Sequence, residues 1–382
     1  MATSKQLKIG FVLDTSLDPL DGVQQYVITI GEWLRTQGHD VHYLVGQTEQ
    51  RNLPGIHSLE RNVSVRFNGN RTTIPLPTSR RKLQAFLEAE NFDVLHVQIP
   101  HSPFMAQPLI LSASPRTAII GTFHIAPYSH LVRVGNHVLG QWLRRSLRRF
   151  DAILSVSTTA QTFAKQTFHI NSEVLPNVIA YPLFHNAKPL AKYKEPLTIL
   201  FLGRLVPRKG CKLLLEAVAR LAADSDLPDF KVVICGKGPL LPALQKFVAD
   251  NQIAGRVEFV GFVAEADKPR YYASADIAVF PSSGGESFGI VLLEAMASGK
   301  AAVLAGDNPG YHSVMAPQPD LLFNPKSVAA LADKLSYYLQ DSRLRKQAQN
   351  WGETYAANFD VAFVGTKLLK IYDETLRKRR RQ

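Results

Sequence analysis

Two glutamates eight residues apart flank the start of a predicted helix and could both contact one elongated ligand. They are Glu286 and Glu294, in the segment 282–299, where a loop of small residues leads into a run of helix formers that begins at Ile290. Each carboxylate can accept hydrogen bonds from neighbouring hydroxyl groups. The glycines of the loop are Gly284, Gly285 and Gly289. Because they leave backbone N–H groups uncovered at a helix N-terminus, where the helix dipole favours negative charge, the loop is typical of a phosphate-binding site.

A basic loop earlier in the chain could hold the same anion. Arg204 and Lys209 follow the apolar run 199–202, which predicts a buried strand. A guanidinium and an ammonium at the mouth of a cleft would neutralise a diphosphate leaving group in the transition state. The structural alternative is an exposed basic loop that caps a helix. In the same way, Glu286 could merely begin a helix and Glu294 could be a solvated helix position.

Candidate residues in the first half of the chain also follow predicted strands. His124 comes directly after the run 117–122, and Gly22 lies in the loop 21–25 after the first strand. A lone histidine is usually structural, but the carboxyl end of a parallel strand is where ligands of such sheets bind. The segment 224–226 has the Asp-x-Asp form of a metal site, but it falls in a polar loop on the far side of the predicted sheet. We therefore predict no protein metal site.

The elements that must position these residues alternate along the whole chain. Short β-branched runs, each followed by a longer amphipathic segment, predict an α/β protein with parallel strands buried on both faces. Three prolines interrupt regular structure in 175–189, which predicts a domain junction there. We expect two facing Rossmann-like domains with an interdomain cleft. The predicted domains are 1–180, 181–357 and 358–382, the last of which is a helix that ends in a basic tail.

Composition excludes several classes of protein. The chain has 382 residues, a formal net charge of +12 and 46% hydrophobic residues, so it should fold into domains with their own cores. Its two cysteines exclude a disulfide framework. No apolar stretch approaches the roughly 18 residues that span a bilayer, and the N-terminal residues have no leader pattern. We expect a cytoplasmic protein that is neither exported nor integral to the membrane.

The paired glutamates and the basic loop together resemble the motifs of the retaining glycosyltransferases of family 4. That resemblance implies a GT-B fold in which 1–180 binds the acceptor, 181–357 binds the nucleotide-sugar donor, and the helix of 358–382 crosses back to the first domain. It also implies transfer without a protein nucleophile, in which the leaving phosphate helps to deprotonate the acceptor. It assigns catalytic roles to four residues: His124, beside the 6-hydroxyl of the transferred sugar, Arg204, Lys209 and Glu286. The implied donor-binding residues are Gly22, Arg204, Lys209, Val263, Lys268, Gly285, Ser287, Phe288, Gly289, Ile290 and Glu294. The loop 21–25 resembles the Gly-Gly-Val loop of the family, with Asp21 in place of the first glycine.

Several segments look particularly like the phosphatidylinositol mannosyltransferases. They include 260–268, 284–292, and 77–82 followed by 92–97. This narrower likeness implies GDP-mannose as donor substrate and phosphatidylinositol as acceptor. It places Val263, Lys268 and Ile290 around the guanine or ribose. No cofactor is implied, although Mg²⁺ could accompany the donor.

Basic clusters suggest contact with an anionic membrane surface. Arg80, Arg81 and Lys82 open an amphipathic segment whose apolar stripe would add insertion into the interface, and the chain ends in a basic tail. We expect peripheral attachment at the inner face of the cell membrane. The alternative is that these residues form solvated helix faces.

Other functional classes fit less well. A nucleic-acid binder would explain the charge but would leave the phosphate-binding loops unexplained. A dinucleotide oxidoreductase needs Gly-x-Gly-x-x-Gly after its first strand, and that motif is absent there. A glycosyltransferase of the same fold that uses a UDP-sugar, such as UDP-glucose, with a different lipid or soluble acceptor remains the alternative. We predict no nucleic-acid partner and no obligate protein partner.

Overall fold

The computed structural model describes residues 6–18, 21–50, 52–67, 70–75, 79–124 and 139–381. Pro77 and Thr78 of the predicted mannosyltransferase-like segment lie outside the described residues. The chain divides into two compact units: unit 1 comprises Met1–Val178 and Val361–Gln382, and unit 2 comprises Ile179–Asp360. The boundaries predicted from sequence were 180 and 357.

Unit 1 is built on a seven-stranded sheet of order β3-β2-β1-β6-β7-β8-β9, whose neighbouring strands are all parallel. Its strands are β1 (Lys8–Val12), β2 (Asp40–Gly46), β3 (Ile56–Glu60), β6 (Val94–Gln98), β7 (Ala118–Phe123), β8 (Ala152–Ser155) and β9 (Glu173–Val174), and β4 (Asn62–Phe67) and β5 (Asn70–Pro75) form a separate antiparallel pair. Its first helices are α1 (Gly22–Thr36), α2 (Arg80–Glu90), α3 (Ala106–Ser112), α4 (Arg144–Leu147) and α5 (Thr158–Phe168). Every residue of β6 and β7 is buried, as a parallel sheet covered on both faces requires, although β6 contains the polar His96 and Gln98.

Unit 2 contains a six-stranded parallel sheet of order β12-β11-β10-β13-β14-β15. Its strands are β10 (Leu197–Leu202), β11 (Phe230–Cys235), β12 (Val257–Gly261), β13 (Ile277–Phe280), β14 (Ala302–Gly306) and β15 (Leu322–Phe323). Its helices are α6 (Tyr181–His185), α7 (Cys211–Leu221), α8 (Leu241–Asp250), α9 (Lys268–Ala273), α10 (Ile290–Ala297), α11 (Pro309–Met315), α12 (Val328–Gln340) and α13 (Ser342–Ala356). The predicted α/β class, with two Rossmann-like parallel-sheet domains, is confirmed.

The last helix, α14 (Val361–Arg379), packs on unit 1 although it follows unit 2 in the sequence. The Tyr372 hydroxyl lies 2.6 Å from Nδ1 of His96 on β6, and Nε of Arg379 donates to Asp151 at 2.8 Å. Gly365 permits close packing, because a Cβ there would lie 2.5 Å from the Trp33 ring. One end of the basic tail is therefore tied down by an ion pair.

The order of the strands in each parallel sheet decides where ligands can bind in that unit. In unit 1 the chain order reverses direction between β1 and β6, and in unit 2 it does so between β10 and β13. Loops leave the carboxyl ends of such neighbouring strands in opposite directions, and a crevice opens between them. Among the described residues, no helix is both long enough and apolar enough to cross a bilayer.

Candidate functional site

The two predicted phosphate-binding loops meet at the crevice of unit 2. The basic loop follows β10 and the glycine-rich loop follows β13, and these two strands are hydrogen-bonded neighbours. The backbone N–H of Ser283 donates to the carbonyl of Arg208 at 2.9 Å, and the Ser282 hydroxyl donates to the same carbonyl at 3.0 Å. Loops that lie far apart in the sequence therefore form one surface.

Glu286 joins the loops through its side chain. Its Oε1 accepts from Nη1 of Arg208 at 2.6 Å, from Nζ of Lys209 at 2.8 Å and from the Ser282 hydroxyl at 2.9 Å. The Glu286 side chain is 13% exposed, whereas that of Arg208 is 35% exposed. The cluster is thus half-open, with a shielded carboxylate and a more accessible guanidinium.

The charges in this cluster are held in a poorly hydrated site. Burial by itself raises the pKa of Glu286, but Lys209 and Arg208 outweigh burial and hold it below the ordinary value. Burial lowers the pKa of Lys209; Glu286 opposes this shift, and the nearby charges of Arg208 and Arg204 add to it. Two cationic side chains, Arg208 and Lys209, therefore pair with one carboxylate, and the charge of Arg204 acts on Lys209. Such an arrangement can exchange an internal anion for an external one.

The rest of the glycine-rich loop leads into α10. The Gly285 carbonyl lies 3.4 Å from Nη1 of Arg208, and the buried Phe288 ring packs against Phe359. Gly289 is the residue before the helix and has a φ of +104°, and a Cβ there would lie 2.6 Å from the Tyr311 ring. Ser287 and Ile290 are half-buried. The loop therefore keeps its backbone close to its neighbours.

Glu294 is not a solvated helix position. It is fully buried in α10, and its Oε2 accepts a hydrogen bond from the Tyr272 hydroxyl at 3.1 Å. That alternative interpretation of the sequence is therefore wrong. A ligand can contact this carboxylate only after side chains around it move.

Residues predicted to surround the base lie after β12. Val263 is buried, and Lys268, at the start of α9, forms an ion pair with Glu265 at 2.5 Å. Between these two positions and the strand lies Phe262, which is 66% exposed and has Nζ of Lys237 5.8 Å from its ring centroid. Sequence reasoning did not single out Phe262, although an aromatic residue directly after a strand was a usable signal.

In unit 1, His124 has a defined tautomer. Nε2 of His124 lies 2.7 Å from Oε1 of Gln98. The amide group of Gln98 is oriented because Nε2 of Gln98 donates to the His96 carbonyl at 3.2 Å. His124 must therefore donate from Nε2, which leaves the lone pair on Nδ1. Burial lowers the pKa of His124 to about 3, so the ring is neutral at physiological pH. Gln98 was not among the predicted site residues.

A cavity of about 250 Å³ opens at the carboxyl edge of β1 and β6. Its polar lining comes from Asp14, Thr15, Asp21, Gln24, Gln98 and Ser102. Asp14 accepts from the backbone N–H groups of Ala106 at 2.7 Å and Phe104 at 3.2 Å, yet burial raises its pKa to about 6. Sequence reasoning passed over Asp14, whose position directly behind an apolar strand was the available signal.

Other predicted residues of unit 1 lie at helix starts. Gly22 is the first residue of α1, and a Cβ there would meet no atom within 4 Å. Arg80, Arg81 and Lys82 are exposed in the first turn of α2. The apolar stripe beside them, which includes Leu83 and Leu87, is buried in the core of unit 1. The expectation that this stripe inserts into a membrane is therefore wrong.

Comparisons with known proteins agree with this geometry. The family model described as glycosyl transferases group 1 matches residues 185–355, and the model described as glycosyltransferase family 4 matches residues 20–180. A phosphatidyl-myo-inositol mannosyltransferase of Mycobacterium tuberculosis is 31% identical over 96% of this chain and 97% of its own length. A GDP-mannose-dependent alpha-(1-6)-phosphatidylinositol monomannoside mannosyltransferase of the same species is 31% identical over 62% of this chain and 65% of its own.

Solved structures show the same fold at low sequence identity. The chain Alr3699/HepE of Anabaena, crystallised with UDP and glucose, superimposes with a TM-score of 0.73 at 18% identity, over 97% of this chain and all of that one. The family resemblance predicted from sequence is confirmed, and so is the prediction that the protein is an enzyme. The chain belongs to the family 4 glycosyltransferases, has their GT-B fold, and is similar over nearly its whole length to phosphatidyl-myo-inositol mannosyltransferases.

Proposed function

We propose that this glycosyltransferase moves mannose from GDP-mannose to phosphatidylinositol, with retention of configuration, at the inner face of the cell membrane. The observation that carries the proposal is the pairing of Arg208 and Lys209 with Glu286 at the crevice of unit 2, with the charge of Arg204 close enough to act on Lys209. The choice of mannose and phosphatidylinositol is supported by the names of the relatives that match nearly the whole chain.

The cation cluster is suited to a diphosphate leaving group. The bond between the sugar C1 and the phosphate oxygen breaks, a bond from C1 to the acceptor oxygen forms, and the acceptor proton passes to the departing phosphate. Arg204 and Lys209 stabilise the negative charge that develops on the phosphate, and the backbone near Gly289 adds donors at a helix start. Glu286 keeps the cations in place before the donor binds, and it then contacts the sugar. The transfer needs no protein ligand to a metal; Mg²⁺ would enter only with the donor.

The nucleoside part of the donor is assigned to the loop after β12 and to α10. Val263, Lys268 and Ile290 border the base and ribose, and the exposed ring of Phe262 offers a stacking surface. Glu294 accepts hydrogen bonds from the ribose hydroxyls once its surroundings rearrange. In unit 1 the Nδ1 lone pair of His124 accepts a hydrogen bond from the 6-hydroxyl of the sugar.

The acceptor headgroup is assigned to the cavity of unit 1. Two carboxyl groups, two carboxamides and two hydroxyls line it, and these groups hydrogen-bond to the hydroxyls of a polyol such as inositol. The volume of about 250 Å³ suits one sugar-sized ring rather than a lipid chain. The lipid tails would remain outside this cavity.

The donor identity is tested by comparing nucleotides. GDP should raise the melting temperature of the protein more than UDP at equal concentration, since a ligand at 100 times its Kd stabilises the native state by about 2.7 kcal/mol. Turnover should be faster with GDP-mannose than with UDP-glucose. Preference for UDP in both measurements would replace the mannose proposal by the UDP-sugar alternative, which the structural neighbour crystallised with UDP and glucose favours. Stabilisation by neither nucleotide would contradict the donor site itself.

Transfer should depend on the ionisation of Asp14. The pKa of Asp14 is about 6, so the group changes from a neutral acid to a carboxylate as the pH rises through 6. The carboxylate accepts hydrogen bonds from the hydroxyls of the lipid headgroup better than the neutral acid does. We expect kcat/KM for the acceptor to rise as the pH increases through 6, which gives the pH profile an acidic limb. Asp14→Asn should lose this limb. The free energy of unfolding should fall as the pH rises from about 4 to 6, because in this range the folded state holds a proton that the unfolded state releases.

The matched control for this pH profile is Asp21→Asn, at the exposed rim of the same cavity. It should keep the acidic limb. An acidic limb that survives unchanged in Asp14→Asn would remove Asp14 from the acceptor site.

Membrane attachment is proposed to be electrostatic. The exposed Arg80, Arg81 and Lys82 gain about 1 kcal/mol each near an anionic surface, whereas Leu83 and Leu87 are unavailable for insertion. Reversing the three cations to glutamate should therefore weaken binding to anionic vesicles by about 100-fold or more, and binding to neutral vesicles should stay weak throughout. Sedimentation with vesicles measures both.

A matched charge reversal in unit 2 tests whether net charge alone explains the loss. Lys326, Arg343 and Lys346 are likewise exposed. Their replacement by glutamate should have a much smaller effect. Equal losses for the two triple variants, or equal recovery of the wild type with anionic and neutral lipid, would contradict the assigned membrane surface.

A further inference from the structure

A second cluster of side chains with metal-ligating chemistry lies in unit 1, at the edge of the sheet where the strands begin. It consists of His42 near the start of β2, His57 near the start of β3 and Glu90 at the end of α2. Within the described part of the chain, these residues form a group whose ligand atoms all lie within 4.8 Å of one another. The residues assigned to the acceptor and to the sugar lie at the opposite, carboxyl edge of the same sheet, so this cluster belongs to neither set.

The two imidazole rings already face one another. Nδ1 of His42 lies 2.8 Å from Nε2 of His57, and Nε2 of His42 lies 3.0 Å from Oδ1 of Asp40. If His42 directs its Nε2–H toward Asp40, its lone pair is on Nδ1 and points to His57. A carboxylate behind an imidazole is the usual second partner of a metal-bound histidine, because it orients the ring and makes the nitrogen a better donor.

The surroundings hold these side chains in place. The Phe86 ring contacts His57 with centroids 4.9 Å apart, and the Phe92 ring contacts His42 at 5.4 Å. The His42 side chain is 14% exposed, so an ion could enter from solvent. Burial and the neighbouring His42 lower the pKa of His57, which favours the neutral ring that binds metals.

A cation already occupies one side of the cluster. Nζ of Lys8 lies 2.7 Å from Oε2 of Glu90, and this contact lowers the pKa of Glu90 and keeps it a carboxylate. Glu90 is also the last residue of α2, where the helix dipole favours positive charge. The site therefore attracts cations, and Lys8 competes with any ion that binds there.

We propose that His42, His57 and Glu90 bind a divalent transition-metal ion of the zinc class, with the Asp40 carboxylate close behind His42. Two imidazole nitrogens and one carboxylate oxygen form a donor set that suits Zn²⁺ and not Mg²⁺, which prefers oxygen ligands only. The ion joins β2, β3 and the end of α2. Its role is to stabilise unit 1, whose helix α2 carries the basic residues of the assigned membrane surface. The inference does not depend on the proposed substrate.

Zinc binding to the untagged full-length chain tests the proposal. After treatment with a chelator, titration calorimetry at pH 7.5 should give about one Zn²⁺ per chain, and Zn²⁺ at 100 times its Kd should raise the melting temperature of unit 1 by at least about 5 °C. His57→Gln and Glu90→Gln should each weaken binding by at least about tenfold while leaving sugar transfer intact. The matched control is His312→Ala, because His312 forms an exposed pair with Asp307 at 3.0 Å that has no third possible ligand among the residues that the structure describes.

Two further measurements do not depend on the ligand variants. Lys8→Met should tighten Zn²⁺ binding, because it removes the competing ammonium. In the wild type, Co²⁺ should develop visible absorption more intense than that of the hydrated ion. Zn²⁺ binding that is equal in wild type, His57→Gln and Glu90→Gln, or a Co²⁺ spectrum identical to that of the hydrated ion, would overturn the site.

Discussion

Replacing Lys209 by methionine should reduce kcat/KM for sugar transfer by about 100-fold or more, and Arg204→Met should have an effect of the same order. Each substitution removes a positive charge from a poorly hydrated site where a diphosphate develops negative charge, and loss of one such donor commonly costs 10²–10³ in rate. The loss should appear mainly in kcat, because the interaction is stronger in the transition state than in the bound donor. Steady-state kinetics with the preferred nucleotide sugar measures it.

The structure supplies a matched control and a way to separate catalysis from folding. Lys212 lies three residues after Lys209, is exposed and pairs only weakly with Glu216 at 3.5 Å, so Lys212→Met should be close to wild type. Lys209→Met leaves the shielded Glu286 with fewer cations, which costs stability. Adding Glu286→Gln should recover that stability without recovering transfer. Unchanged turnover after both Arg204 and Lys209 are neutralised would overturn the donor site.

Gly210→Ala should destabilise unit 2 by about 2–4 kcal/mol and reduce transfer as well. Gly210 has a φ of +74°, and a Cβ at this position would lie 2.0 Å from the carbonyl oxygen of Pro281. The contact is with main chain, so it cannot be relieved by rotating a side chain. The displaced segment would carry Lys209 on one side and the glycine-rich loop on the other. Denaturant unfolding measured by fluorescence and circular dichroism gives the change in free energy.

Gly255→Ala is the control for this prediction. A Cβ at Gly255 would meet no atom within 4 Å, so we expect a change of no more than about 0.5 kcal/mol. Equal stability of the two variants would show that the close approach between Gly210 and Pro281 does not hold the two loops together. Loss of stability in Gly210→Ala with full transfer activity would show that the approach does not position Lys209.

Local patterns in the sequence determined the fold class and located the two loops that we propose to bind the donor. Apolar runs such as 199–202 read as strands because a parallel sheet covered on both faces requires apolar residues throughout. The spacing of Glu286 and Glu294 and the glycines between β13 and α10 are also local features, and they carried the family resemblance that the comparisons confirm. For the same reason the helix that begins at Ile290 was predicted at its observed start.

Only the tertiary structure decided which of these residues are joined by hydrogen bonds or ion pairs. Arg208 and Glu286 are 78 residues apart and meet only because β10 and β13 are neighbours in the sheet, and strand order is not recorded in any local pattern. Leu83 and Leu87 form an apolar stripe that a sequence cannot assign to a membrane or to a core, because both environments select the same side chains. The tautomer of His124 depends on the amide orientation of Gln98, and the cluster of His42, His57 and Glu90 draws on three separate elements. Periodicity determines which face of an element is apolar, whereas the packing of whole elements determines what that face meets.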